Sequence, residues 1–116
     1  MSKKYMLIFV GGSYDGLSPD ATQKQMDKWF AWIEKLSSQG KYDSGEALLP
    51  GGKVVSQKSG KIHVDGPFAE SKEEIGGYFV LKAANVDEAV ELCKDYPDFG
   101  IGGKIHVREV MKMDMP

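Results

Sequence analysis

The 116-residue chain has one cysteine, one arginine, two histidines and no apolar run near the roughly 18 residues of a membrane span. A lone Cys93 closes no internal disulfide, which suits a reducing cytoplasm. Beside Val90 and Leu92 it reads as a small core residue, and nothing around it has metal-ligand spacing. Basic residues are not in excess either: 15 Lys+Arg against 17 Asp+Glu give a formal net charge of −2. Affinity for nucleic acid comes largely from neutralising phosphates, and lysines scattered in this way predict no nucleic-acid partner. Gly11-Gly12 lacks the lysine of a P-loop and the third glycine of a dinucleotide fingerprint, and there is no Gly-x-Ser-x-Gly elbow. No cofactor, metal or serine-triad chemistry is therefore predicted, and no membrane contact.

What is present is ordinary for a globular protein: 41% hydrophobic and 28% charged residues, enough for one domain over residues 1–116. Lys3-Lys4 precedes six apolar residues at 5–10 and then glycine, a pattern that reads as a buried strand rather than a leader. Ser18-Pro19-Asp20 has the features of a helix start. Met26, Trp29, Phe30, Ile33 and Leu36 draw one apolar stripe along that helix, with Trp32 on its flank and Gly40 as the left-handed stop. Residues 42–64 read as extended, with a hairpin around Gln57-Lys58-Ser59-Gly60. Residues 76–81 form the next strand. Asn85 caps a second helix whose Glu88 is placed to reach back and whose inner stripe is Val86, Ala89, Val90 and Cys93. A last strand from 104 to 111 alternates Ile105, Val107 and Met111 with His106, Arg108 and Val110.

The order β-α-β-β-α-β predicts an α+β, ferredoxin-like domain with an antiparallel sheet. Its helices cover one face of that sheet. The two central strands are nonetheless apolar on both faces, so the second face needs a cover. A second copy, sheet against sheet, supplies one, which predicts a homodimer.

The run Asp65-Gly66-Pro67-Phe68-Ala69-Glu70-Ser71-Lys72-Glu73-Glu74, followed by Ile75-Gly76-Gly77-Tyr78, resembles the signature of the YCII-related, or DGPF-domain, family. Gly45-Glu46-Ala47-Leu48 and Asp87-Glu88-Ala89 agree with it, so the resemblance covers nearly the whole chain. It implies the dimeric α+β barrel, in which two such sheets face each other. Most members have no established activity. Some occur beside extracytoplasmic-function sigma factors, which implies a regulatory contact with such a factor. A distant branch includes a dehydrochlorinase with a proposed His–Asp acid/base pair, whose histidine sits in the first helix region. Residues 21–39 contain no histidine here, and that dyad does not carry over. Arg108 matches the family's last strand, while the proline that often follows there is absent.

Six residues are singled out. Asp65 and His106 are the catalytic candidates, Asp65 as a general base or as the carboxylate that fixes the Gly66-Pro67 turn. Phe68, Glu70, Lys72 and Arg108 are the substrate-binding candidates. Phe68 is a core plug or a stacking surface, the charged residues a solvated face or a pocket wall. Arg108 is an anion fork or an interface ion pair. His63 and His106 are expected on opposite edges of one sheet, too far apart to share a metal. These residues predict a small organic ligand bound near the motif loop, with acid/base chemistry. The other readings are a module that contacts a sigma factor and, by fold analogy, a cofactor-independent oxygenase.

Overall fold

The computed structural model describes residues 2–66 and 74–113. It is α+β, with six strands, two helices and two short 3₁₀ turns among those residues. The strands are β1 (Lys3–Gly11), β2 (Tyr42–Ala47), β3 (Val54–Lys58), β4 (Lys61–Asp65), β5 (Ile75–Ala83) and β6 (Gly103–Glu109). The helices are α1 (Pro19–Ser38) and α2 (Val86–Leu92). Four strands make one antiparallel sheet in the order β2-β5-β1-β6, the ferredoxin-like arrangement. β3 and β4 pair only with each other. They form a separate hairpin within the long connection between β2 and β5, an addition to the expected order.

α1 starts where the sequence says it must. The Ser18 hydroxyl accepts the Ala21 N–H at 3.1 Å, and Pro19 spends no donor at the first helical position. It ends at Gly40, whose φ of 70° lets Lys41 N–H return to the Leu36 carbonyl at 2.9 Å. The helix is rotated from the expected stripe. Trp32 and Leu36 are 2% and 1% exposed, Trp29 and Ile33 are half-buried, and Phe30 stands 61% exposed with Met26 beside it. Trp32 belongs to the core because its indole N–H reaches the Leu92 carbonyl at 3.1 Å, a bond that turns this face toward α2. In α2 the same correction applies: Ala89 is buried and Leu92 half-buried, whereas Val86 and Val90 face solvent. The Asn85 side chain accepts the Glu88 N–H at 2.9 Å, and the Glu88 carboxylate accepts Ala84 N–H at 3.4 Å, so the reach-back is present.

The core lies between this helix layer and one face of the sheet. Phe9 sits at its centre, with ring centroids of Phe79 at 4.9 Å, Trp29 at 5.0 Å and Tyr96 at 5.4 Å. Gly45 keeps β2 against β5, because a Cβ there would meet the Phe79 ring at 2.5 Å. A Cβ at Gly77 would meet the Glu46 carbonyl oxygen at 2.6 Å. Gly77, the second of the Gly-Gly pair at the start of β5, is thus a requirement of close strand approach, whereas Gly76 faces open space.

The hairpin extends away from this sandwich. The chain measures 50 × 48 × 19 Å with a radius of gyration of 16.6 Å, against roughly 13 Å for a compact chain of this length. Ser59 and Gly60, at φ 50° and 77°, make a two-residue turn tighter than the four-residue loop expected. Every residue of β3 and β4 is exposed.

Candidate functional site

Strand alternation divides the sheet into two faces. Tyr5, Leu7, Phe9, Phe79 and Leu81 point at the helices and are buried. Met6 and Ile8 of β1, with Tyr78 and Val80 of β5, point the other way and are half-buried, an apolar floor that no helix among the described residues covers; Val10 at its end is buried. The antiparallel registers set its rows. Glu46, Tyr78, Ile8 and His106 lie in one row across the four strands, and Ser44, Val80, Met6 and Arg108 in the next. The open face thus has aliphatic residues and a tyrosine at its centre, with polar residues on both edges.

Those edges differ in charge. β6 carries Lys104, His106 and Arg108 on this face. β2 carries Glu46, and its irregularity between Tyr42 and Ser44 brings Asp43 within 3.7 Å of the Lys4 ammonium. His106 and Arg108, two residues apart on one strand, stand side by side above Ile8 and Met6 and are both exposed. An imidazole and a planar guanidinium beside an apolar floor suit an organic anion: the fork takes a carboxylate, and the imidazole takes or gives a proton.

The other expected residues are placed differently. Asp65 is exposed at the end of β4, opposite Val54 on the hairpin, and so lies on a different sheet from His106. His63 also lies on the hairpin, opposite Ser56, so the two histidines do not share a sheet at all. Phe68, Glu70 and Lys72 lie outside the described residues. Among the described residues no group of three or more His, Cys, Asp or Glu could hold a metal ion.

One polar cluster has no counterpart in the sequence reading. Asp98 is 8% exposed, and its carboxylate accepts the Gln25 amide at 2.8 Å, the Tyr14 hydroxyl at 3.1 Å and the Trp29 indole N–H at 3.2 Å. Burial, together with the Asp98 charge, raises the Tyr14 phenol pKa above its ordinary value. These bonds fasten the loop after β1 and the turn before β6 to α1. α1 presents a glutamine to this carboxylate, and an amide moves no proton near neutral pH. The cluster therefore holds structure and builds no acid/base pair. Four residues spread over positions 14–98 leave no local spacing by which it could be read.

A second concave feature, an open groove of about 460 Å³, runs on the helix side of β6 between Val90, Cys93, Phe99, Ile105 and Val107. Burial pushes the Cys93 thiol up to about 11, so at neutral pH it is a protonated wall of this groove and no nucleophile. His106 and Arg108 are on the opposite face of the strand.

No helix among the described residues is long and apolar enough to cross a membrane. A stretch of 34 residues is 44% identical to an uncharacterized protein of Rhizobium meliloti (strain 1021). That match covers 29% of this chain and about a quarter (27%) of the length of that relative. The YCII-related domain matches residues 5–114, nearly the whole chain, and the chain belongs to that family.

Proposed function

We propose that the protein works as a homodimer, a dimeric α+β barrel, that takes a small organic acid between two facing sheets. Arg108 holds the acid group and His106 carries a proton to or from the ligand, with Asp65 as the carboxylate partner. The observation that carries this reading is the open face itself: His106 and Arg108 in adjacent rows beside Ile8 and Met6, on a floor that is apolar and uncovered. The rings that an oxygenase reading would need as cavity walls are instead packed on one another around Phe9.

A thermal-shift screen against small organic acids, phenols and quinones tests the reading. Aromatic carboxylates are expected to raise the melting temperature of the wild type. Arg108→Ala and His106→Ala variants that still fold are expected to lose that rise. No shift from any class overturns the ligand reading and favours a protein contact, such as one with a sigma factor. Turnover of a stabilising acid, lost in His106→Ala with binding retained, would make the protein an enzyme rather than a sensor.

A further inference from the structure

Two apolar surfaces lack a cover among the described residues. The first is the open sheet face. The second is one side of the hairpin, where Val55 pairs with Val64 and Gln57 with Ile62. Val55 is 65% and Ile62 63% exposed there, while Ser56, Lys58, Lys61 and His63 take the other side. A lone two-stranded hairpin is marginal in water, so this amphipathic arm needs something against its aliphatic side.

Symmetry and charge together say how a second copy fits. Two identical sheets laid face to face about a two-fold axis have two limiting arrangements. An axis across the strands sets β2 against β2 and β6 against β6, which puts the acidic edge against its own copy and the basic edge against its own copy. An axis along the strands sets the acidic β2 edge against the basic β6 edge of the second copy. The first costs like-charge repulsion in a desolvating interface and the second gains attraction, so the second is favoured.

That choice has a geometric consequence. Rotation about an axis along the strands leaves each end of the sheet where it was. The arm leaves the end where β2 finishes at Ala47 and β5 begins at Ile75, which is also where β6 begins at Gly103. The arm of one copy therefore arises beside the start of β6 in the other. Within one chain the width of the sheet, three strand spacings of ~4.8 Å, separates that root edge from His106. Area points the same way. Four strands ~4.8 Å apart with about seven facing residues at ~3.4 Å cover only roughly 450 Å². Stable interfaces bury about 800 Å² per partner, and the arm supplies additional surface.

We propose that the ligand site is composite: His106 and Arg108 come from one copy, while the aliphatic side of the arm, Val55, Ile62 and Val64, comes from the second. This rests on the homodimer proposed above.

Introduced cysteines read the arrangement directly. Val64→Cys and His106→Cys proteins, mixed, re-equilibrated and treated with a short bismaleimide, are expected to give a covalent species of twice the chain mass. Neither variant alone should give it, nor should the wild type, whose Cys93 is buried. Ser44→Cys mixed with Arg108→Cys reads the axis without the arm and is expected to behave in the same way. Ser44→Cys coupling to itself would place the axis across the strands and overturn the proposal. So would a dimer in sedimentation that gives no mixed product from the Val64 and His106 pair. A wild-type monomer would overturn the dimer, and with it this site.

Discussion

Asp98 shows how neutral donors hold a buried carboxylate. Three neutral donors from Tyr14, Gln25 and Trp29 replace the water it lost on folding. The Gln25 amide also reaches the Pro97 carbonyl at 3.0 Å, and the Trp29 indole N–H the Tyr14 oxygen at 3.2 Å. Asp98→Ala removes the shared acceptor and takes from the Tyr14 hydroxyl the carboxylate it donates to. A loss of about 1–3 kcal/mol in urea denaturation is expected, the cost of an unsatisfied buried polar group. Glu88 gives a second test at this scale, with a defined pH sign. The Lys41 hydrogen bond at 2.8 Å holds its carboxyl below the ordinary glutamate range. A lowered folded-state pKa gives stability that is present above the unfolded value and lost as pH falls through the folded one. The melting-temperature gap between wild type and Glu88→Gln should therefore be widest near neutral pH and close below about pH 4. The cap role of Glu88 is legible in the sequence, because it depends on neighbours three residues away. Its bond to Lys41, 47 residues distant, is not.

At the scale of elements, periodicity located both helices and most of each inner stripe: Trp29, Ile33, Leu36, Ala89 and Cys93 pack on the core, while Met26, Phe30, Val86 and Val90 are exposed and Trp32, expected on the flank, is buried. Hydrophobicity alone does not say which edge of such a stripe turns inward. What decides is a polar handle. The Trp32 indole N–H needs an acceptor, finds the Leu92 carbonyl, and fixes the rotation of α1. The consequence is measurable. Trp32→Ala should cost about 3–5 kcal/mol, as aromatic truncations in a core do. Phe30→Ser, on the exposed side, should stay within about 0.5 kcal/mol in the monomer. Equal losses at both positions would mean that α1 sits in the rotation its sequence stripe suggests. The hairpin was legible as a hairpin from its strand propensities and the Gln57-Lys58-Ser59-Gly60 run, though not its two-residue turn. That it stands apart from the main sheet was not, since alternation says which residues share a face and not what lies opposite it.

For the whole molecule the informative feature is a thickness of 19 Å, enough for one sheet and one helix layer and no more. The second layer proposed over the open face comes from another copy, the reading to which doubly apolar β1 and β5 point in the sequence. Ile8, at the centre of the open face, tests it with little cost to the fold. In a lone chain it is only half-buried, so Ile8→Arg leaves the guanidinium in water and the secondary structure intact. In a sheet-on-sheet dimer the same substitution buries one unpaired charge per copy beside Tyr78 and Met6. Leaving an uncompensated charge buried costs about 3–5 kcal/mol, enough to dissociate a micromolar dimer. Sedimentation velocity should therefore show a dimer for the wild type and a monomer with native circular dichroism for Ile8→Arg. Persistence of the dimer in the variant would move the interface off this face, and the reading of His106 and Arg108 as inter-sheet ligands would go with it.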